Sequence, residues 1–260
     1  MSKTNFKELL DSGVHFGHLR KKWNPEMAPY VFMEKNGIHI IDLHKTIVML
    51  DQACSAMKQI SKSGRKILFV ATKKQAKGIV SEVAKALNMP YITERWPGGL
   101  LTNFSTIRKS VKKMDAIDKM KEDGTMDTLS KRERLQISRT REKLELNFGS
   151  IVSMNRMPDA IFIVDINKER IALAEANKLG IRTFAMTDTN SNPNLVDYPI
   201  PSNDDASKSI LKILSIVEKS VKEGLEERSK ELDKKAMEKQ KKAKEIVEEQ
   251  ETKKETIEKK

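Results

Sequence analysis

The sequence predicts an α/β fold in which a mainly parallel sheet is covered by helices. Strand-like apolar runs alternate with helical apolar stripes along the 260-residue chain, as they do in proteins with parallel sheets. The run Ile67-Leu68-Phe69-Val70-Ala71 is continuously apolar, which is typical of strands buried on both faces. Gly64 and Gly180 mark short turns between elements, and the chain is long enough to bury a core.

The first elements are a short helix and a strand–helix pair. Asn5 is a favourable N-cap for a helix that Gly13 ends. A short apolar run predicts a strand over 38–41, and the pattern after it predicts a helix over 43–63. The apolar stripe of this helix consists of Ile47, Leu50, Cys54, Met57 and Ile60.

The remaining core elements continue the alternation of strands and helices. The strand over 66–71 is followed by a helix over 74–87 and a strand over 90–93. Much later come a strand over 160–164, a helix over 168–179, a strand over 181–187 and a last helix over 204–221. This alternation, with short turns marked by glycine, favours one mainly parallel sheet covered by helices.

The segment between the strands near Tyr91 and Ile161 interrupts this rhythm, since it has no strand signal. Apolar residues recur there at spacings of three, four or seven, and Asp123-Gly124 separates two such stretches. The pattern predicts a coiled-coil hairpin over 104–148 that projects from the sheet, the alternative being two ordinary covering helices. Its seam consists of Phe104, Ile107, Val111, Met114, Ile137, Leu144, Phe148 and Ile151.

Three regions follow from this organisation. Residues 1–103 and 149–223 form the predicted α/β core domain, and 104–148 form the inserted hairpin. Residues 224–260 contain no aromatic residue or proline and mix charges of both signs, which predicts a disordered tail or a solvated helix.

The charge distribution favours a polyanionic partner. Residues 1–221 carry 36 basic and 25 acidic residues, so they hold +11 of the net charge of +12. A basic folded surface attracts nucleic acid through phosphate contacts and counterion release. The alternative is a lysine-rich composition that only keeps the protein soluble.

Several classes of protein are excluded by composition and motif. No stretch approaches the roughly 20 apolar residues of a membrane span, and the N-terminus lacks the apolar segment of a signal peptide. Cys54 is the only cysteine, which excludes an internal disulfide framework and a multi-cysteine zinc module. The glycine patterns of dinucleotide and P-loop sites are absent, and no catalytic triad can be placed. We therefore expect a cytoplasmic protein that is not an enzyme and has no cofactor.

Basic residues next to aromatic ones in loops are the strongest functional signal. Both tryptophans of the chain lie in such loops, where cations can bind phosphates and flat rings can stack on bases. Lys73 and Lys74 lie at the start of the helix that follows the strand over 66–71, where their ammonium groups could bind a phosphate of the RNA backbone. The alternatives are tryptophans packed in the core and a merely exposed helix end. The predicted RNA-binding residues are His15, His18, Arg20, Lys21, Lys22, Trp23, Asn24, Lys73, Lys74, Arg95, Trp96, Asn103, Arg108, Lys109 and Lys112.

Metal binding is a weaker hypothesis. His15 and His18 lack a nearby acidic ligand in the sequence, so a loop whose imidazoles bond backbone or phosphate is favoured over zinc. Asp188, Asp204 and Asp205 could converge on a cation if their loops meet at the sheet edge. The alternative is that residues 203–205 cap the last helix.

Several segments resemble the ribosomal protein S two family of the bacterial small subunit. They occur in the family's order and span about residues 5–222. The matching segments are 13–18 (GVHFGH), 23–27 (WNPEM), 38–43 (IHIIDL), 95–103 (RWPGGLLTN), 158–165 (PDAIFIVD) with Glu175-Ala176, and 188–190 (DTN) through 201–206 (PSNDDA).

This resemblance implies a Rossmann/flavodoxin-like core with an inserted coiled-coil hairpin. It also implies a structural role between the head and body of the small ribosomal subunit, where the protein binds ribosomal RNA and helps recruit ribosomal protein one. Neighbouring small-subunit proteins are the other implied partners, and a homo-oligomer is not expected. A fold shared with nucleotide-binding enzymes carries no activity with it.

Overall fold

The structure is a computed structural model that describes the backbone of residues 5–258 and the side chains of 5–126 and 128–232. Its helices are α1 (Phe6–Asp11), α2 (Leu43–Lys62), α3 (Lys74–Ala86), α4 (Phe104–Glu122), α5 (Lys131–Phe148), α6 (Arg170–Lys178) and α7 (Ser207–Glu258). Its strands are β1 (Phe16–Leu19), β2 (Val31–Lys35), β3 (Ile38–Ile41), β4 (Ile67–Val70), β5 (Tyr91–Ile92), β6 (Ala160–Val164), β7 (Arg182–Thr187) and β8 (Tyr198–Pro201).

Five parallel strands form the central sheet in the order β5-β4-β6-β7-β8. Numbered along the chain, this is the 2-1-3-4-5 order of flavodoxin-like folds, whose switch point lies between β4 and β6. Every residue of β4 and β6 is buried, which explains their continuous apolar sequences. The α/β prediction is confirmed.

Two hydrophobic cores cover the two faces of this sheet. Because side chains alternate along a strand, Phe69 and Phe162 pack with α2, α3 and α7 on one face. Leu68 and Ile161 pack on the other face with α6 and with the base of the α4–α5 hairpin. The hairpin is therefore anchored in the second core.

A second, antiparallel sheet has the order β1-β3-β2, and the sequence predicts only part of it. The sequence predicts β3 but treats β1, with His18, as a loop, because β1 and β2 are short and mostly exposed. Asn36 and Gly37 have φ of 53° and 74° between β2 and β3. Asn-Gly is the strongest sequence signal for such a hairpin, and it could have identified β2.

The edge strand β8 is also missing from the sequence prediction. Its sequence, Tyr-Pro-Ile-Pro, contains two prolines that cannot donate to a ladder, which argues against a strand in sequence reasoning. It pairs only with β7 among the described strands, and an edge position tolerates those prolines.

Helices α4 and α5 form an antiparallel hairpin. Asp118 of α4 accepts from Arg141 of α5 at 2.7 Å. Gly124, in the left-handed region at φ 72°, starts the turn, and Ser130 and Glu133 form a capping box at the start of α5. The seam residues Val111 and Met114 of α4 are buried, while most of the side chains around them are exposed.

Helix α7 continues without a break through Gly224, where the predicted tail begins. A Cβ atom at Gly224 would lie 2.5 Å from the carbonyl oxygen of Lys58, so α2 and α7 approach closely there. Lys58 pairs with Glu227 at 2.7 Å one turn later. Residues 259 and 260 of the predicted tail lie outside the described residues. No helix in the described ranges is long and apolar enough to cross a membrane.

Candidate nucleic-acid interface and carboxylate cluster

The candidate site lies at the carboxyl edge of the parallel sheet, where all five strands end on the same side. The segments after the strands meet there, and we call them the carboxyl-edge surface: 72–74, 94–103, 165–169, 188–190 and 202–205. The N-terminal segment joins this surface through the backbone. The amide of Asn24 donates to the Thr189 carbonyl at 2.7 Å, and the amide of His18 donates to Thr189 Oγ1 at 2.8 Å.

Lys73 lies inside this surface rather than on it. Its ammonium is 2.7 Å from Asp204 Oδ1, 2.6 Å from Asp205 Oδ1 and 3.2 Å from Asp165 Oδ2, and its side chain is only 12% exposed. Burial by itself would lower the pKa of Lys73, because it disfavours the charged ammonium. The facing carboxylates have the larger effect, so the pKa of Lys73 is raised. The phosphate contact of Lys73 stays a prediction, and the ammonium that would make it is held in ion pairs with three carboxylates of the protein.

His18 lies among the same carboxylates. Its Nδ1 is 3.0 Å from Asp188 Oδ2 and its Nε2 is 3.3 Å from Asp205 Oδ2. The hydrogen bond to Asp188 is the main cause that raises the pKa of His18. The acidic neighbours of His18 are distant in the sequence, and the fold brings residues from three separate segments together.

The capping interpretation of residues 203–205 is correct only for the first of them. Asn203 Oδ1 accepts from the amide of Asp205 at 2.9 Å and from that of Ala206 at 3.2 Å. The carboxylates of Asp204 and Asp205 instead face Lys73 and His18.

The group formed by His18, Asp188, Asp204 and Asp205, which we call the carboxylate cluster, fits a divalent cation. One ligand atom from each residue lies within 4.8 Å of the others. Among the described residues, Asp204 Oδ2 is buried and has no hydrogen-bond partner. Burial, together with Asp188 and Asp165, raises the pKa of Asp204 to about 7. One imidazole and three carboxylates suit Zn²⁺ or a similar ion, which would neutralise this excess of negative charge.

We expect Zn²⁺ to raise the melting temperature of the protein. Stabilisation of about 2.7 kcal/mol is expected when the free ion is at 100 times its dissociation constant. Thermal unfolding of the wild type, His18→Ala and the control His44→Ala, with and without Zn²⁺, measures this. An equal shift in wild type and His18→Ala would contradict a site at the carboxylate cluster.

His15 does not join the cluster. Its ring lies against Phe16 with centroids 4.1 Å apart, and its buried Nδ1 has no hydrogen-bond partner in the part of the chain that the structure describes. Burial lowers the pKa of His15, so its neutral form is favoured. His15 lines an apolar groove instead, and its contact with RNA stays a prediction.

The loop over 95–103 is organised around the carboxylate of Glu175. The indole Nε1 of Trp96 donates to Glu175 at 3.1 Å, the Gly99 amide at 2.7 Å and the Leu101 amide at 3.0 Å. Thr102 adds its amide and its hydroxyl, each at 3.1 Å. Trp96 is only 6% exposed, which favours the alternative that it packs in the core, and its contact with a base stays a prediction.

Sequence reasoning missed the structural role of Glu175. Glu175 lies in the middle of a predicted helix, and nothing in the sequence around it indicates that its carboxylate binds a loop some 75 residues earlier in the chain. Burial raises its pKa, but the hydrogen bonds from Trp96 and the backbone amides outweigh burial and lower it. Glu175 is therefore a charged structural anchor.

Arg108 also has a structural role. Its guanidinium donates to the carbonyls of Val152 and Met154 at 3.2 Å and to Asn155 Oδ1 at 2.9 Å. These bonds fix the base of the hairpin to the segment before β6. The RNA contact of Arg108 stays a prediction, and three hydrogen bonds of its guanidinium are made within the protein.

The other loop residues divide by exposure. Trp23 is half-buried with its ring 5.0 Å from that of His39, and Asn24 accepts from the Glu26 amide at 3.0 Å. Asn103 is exposed immediately before α4. The predicted cations that are exposed, which we call the basic rim, are Arg20, Lys21, Lys22, Lys74, Arg95, Lys109 and Lys112.

An exposed apolar groove of about 250 Å³ lies between α1 and the antiparallel sheet. Phe32 is 70% exposed there, and Phe6, Leu10 and Met33 are each 40% exposed or more. Exposed apolar patches of this kind mark protein–protein contacts. Sequence reasoning missed the groove because it did not place β1 and β2.

Comparison with known proteins identifies relatives over nearly the whole chain. A family model described as Ribosomal protein S2 matches residues 9–224. A protein named small ribosomal subunit protein uS2 from Parabacteroides distasonis is 58% identical over 260 residues, covering 98% of this chain and 94% of the relative. The protein of that name from Flavobacterium johnsoniae is 65% identical over 230 residues, covering 88% of this chain and 91% of the relative. The one from Phocaeicola vulgatus is 63% identical over 231 residues, covering 89% of this chain and 83% of the relative.

Proposed function

Because the chain belongs to the ribosomal protein S2 family, a structural component of the small ribosomal subunit and not an enzyme, we propose that it binds ribosomal RNA through the basic rim. The binding position is between the head and body of the subunit, in cytoplasmic ribosomes. The basic rim and the net charge of +11 over residues 1–221 support this proposal, since both attract phosphate.

The geometry of the switch point supports a binding role over catalysis. In nucleotide-binding relatives of this fold, phosphate lies at the start of the helix after the first parallel strand. That position here is occupied by the Lys73 ammonium and its carboxylate partners Asp165 and Asp204. The negative charge of those carboxylates disfavours a phosphate at this point, which favours exposed cations such as those of the basic rim as the phosphate-binding groups.

We expect the triple substitution Arg20→Gln, Lys21→Gln and Lys22→Gln to weaken binding to small subunits stripped of this protein. Each lost phosphate contact is expected to reduce the log–log slope of affinity against salt by about 0.7–0.9. All three residues are exposed, so folding should be unchanged. Cosedimentation at a series of salt concentrations measures the slope.

The matched control removes three exposed cations near the opposite edge of the sheet: Lys85→Gln, Lys178→Gln and Arg182→Gln. Its salt slope should equal that of the wild type. Equal slopes for both triple variants and the wild type would contradict an RNA contact at Arg20–Lys22.

We further propose that the apolar groove helps recruit ribosomal protein one, while neighbouring subunit proteins contact other faces of a monomer. The groove is lined mainly by aromatic and other apolar side chains, with Asp42 as the one carboxylate among its lining residues, and interface centres have this composition. Phe32 is the most exposed large apolar side chain of the described residues, and burial by a partner would remove it from water.

Phe32→Asp is expected to weaken the association of ribosomal protein one with reconstituted small subunits by about 30-fold, since a central aromatic contributes about 2 kcal/mol or more. Folding should not change, because Phe32 is exposed. Leu211→Asp, at an exposed position on α7, is the control. Unchanged association of ribosomal protein one with the Phe32→Asp subunits would contradict this proposal.

A further inference from the structure

A second cavity of about 250 Å³ lies next to the Lys73 ion pairs, at the carboxyl ends of β4 and β5 and the start of α6. This is the edge of the sheet, beside the switch point, where ligands bind in parallel α/β folds. The cavity is small for a dinucleotide cofactor and suits a single nucleobase. It is lined by Thr72, Glu94, Arg95, Trp96, Lys168, Glu169, Ile171 and Ala172.

Glu169 gives the cavity a buried polar group. The residue is 3% exposed, and its Oε1 accepts from both the amide and the hydroxyl of Thr72, at 2.8 and 2.5 Å. Within the part of the chain that the structure describes, its Oε2 makes no hydrogen bond, although Glu169 lines the cavity. Burial raises the pKa of Glu169, so a donor at the free oxygen would stabilise the carboxylate.

Two cations stand at the mouth of the cavity. Arg95 is exposed, and within the described residues it makes no ion pair. Lys168 is exposed and donates to the Thr72 carbonyl at 3.2 Å, which holds its ammonium at this edge. Glu94 is less available to oppose an anion, because it is paired with Lys77 at 2.9 Å. The cavity therefore combines a buried acceptor with exposed cations at its mouth.

We propose that this cavity takes one unpaired nucleotide of ribosomal RNA, whose base donates an amino hydrogen to Glu169 and whose phosphate binds Arg95 and Lys168. The inference rests on the proposed function and adds a specific base contact to it. Guanine, adenine and cytosine carry such an amino group, whereas uracil does not. Single-stranded bases that leave the stack are the usual targets of sequence-specific RNA recognition.

The test compares small subunits reconstituted with the wild-type protein or with Glu169→Gln. Glutamine keeps an oxygen for Thr72 but presents an NH₂ group to the cavity, which opposes an amino donor. Dimethyl sulfate and kethoxal report the accessibility of unpaired bases in the RNA. We expect one base to be protected by the wild type and exposed by Glu169→Gln, with all other protections unchanged. Identical protection by both proteins would overturn the inference.

Further variants keep the outcomes distinct. If Glu169→Gln does not fold, Lys168→Gln replaces it, with Lys178→Gln at the other end of α6 as the control. Loss of the protection in Lys168→Gln alone supports the inference, and loss in neither variant overturns it. A wild type that binds stripped subunits with the expected salt slope but protects no base would overturn the inference and leave the proposed function standing, whereas a wild type that does not bind stripped subunits would contradict the proposed function itself. In a separate titration, binding of free AMP, CMP and GMP without any protection in the subunit would assign the cavity to a free nucleotide and overturn the RNA assignment.

Discussion

Glu175→Ala is expected to lower the free energy of unfolding by about 3–5 kcal/mol, because it leaves several donors without an acceptor in a buried place. The carboxylate accepts hydrogen bonds from three backbone amides, one hydroxyl and the indole of Trp96. Glu175 is 8% exposed, so water cannot replace it without opening the loop. Chemical denaturation followed by Trp fluorescence measures the loss.

Two further variants show whether the charge or the volume of Glu175 is responsible. Glu175→Gln keeps one acceptor oxygen but places an NH₂ group against backbone amides, so we expect an intermediate loss of stability. Glu82→Ala, at an exposed position on α3, should change stability by about 0.5 kcal/mol or less. A Glu175→Ala protein as stable as Glu82→Ala would contradict the anchoring role.

The contribution of Glu175 to the free energy of unfolding should decrease as the pH is lowered. The pKa of Glu175 is lowered on folding from an ordinary value of 4.5, so the ionised carboxylate binds fewer protons in the folded state. Its contribution to stability is present above about pH 4.5 and is lost as the pH falls through the lowered pKa. Glu175→Gln lacks this contribution, so its stability should fall less steeply than that of the wild type below about pH 4.5.

The anchor also positions the proposed RNA-binding groups. Arg95 directly precedes Trp96, and Asn103 directly precedes α4. The loop held by Glu175 therefore fixes the position of Arg95 and the direction in which the hairpin leaves the sheet. A loss of stability at Glu175 should therefore weaken subunit binding even though Glu175 faces inward. The segment 95–103 is thus a structural motif with one exposed cation, Arg95.

The sequence predicts the elements whose signals are local. Buried parallel strands such as β4 and β6 are continuous apolar runs, and helices such as α2 and α3 show apolar stripes, so their predicted positions agree with the structure to within a few residues. Strand β2 is almost entirely exposed and β8 contains prolines, so neither has a strand-like pattern of its own. Their pairing depends on partners elsewhere in the chain.

The site is predicted less well, because residue type does not reveal burial. Lys73 and Lys74 are adjacent and chemically identical, yet the first is enclosed by carboxylates and the second is exposed. Trp96 and Arg108 have chemistry that suits RNA, and the fold uses that chemistry internally. The position of Asp204 beside Lys73 depends on a contact across 131 residues, which no local pattern specifies.

Lys73→Met is expected to lower the free energy of unfolding by about 3–5 kcal/mol, because removing one partner of a buried ion pair leaves uncompensated charge. Asp204 is fully buried and Asp165 is 8% exposed, and both lose their cation. Lys77→Met, four residues later in the first turn of α3, is the matched control. Its single partner, Glu94, is exposed, so the expected loss is about 1 kcal/mol or less.

The loss caused by Lys73→Met should increase with pH. The pKa of Asp204 is already raised to about 7 by burial and by Asp188 and Asp165, and Lys73 is the group that lowers it. A group with a raised pKa contributes its stability at low pH and loses it as the pH rises through the folded value. Without Lys73, folding buries these carboxylates favourably only when they are protonated. The difference in free energy of unfolding between the wild type and Lys73→Met should therefore be small at about pH 5 and large at about pH 8. A deficit independent of pH, or equal to that of Lys77→Met, would show that packing of the lysine stem, and not its charge, stabilises this edge of the sheet.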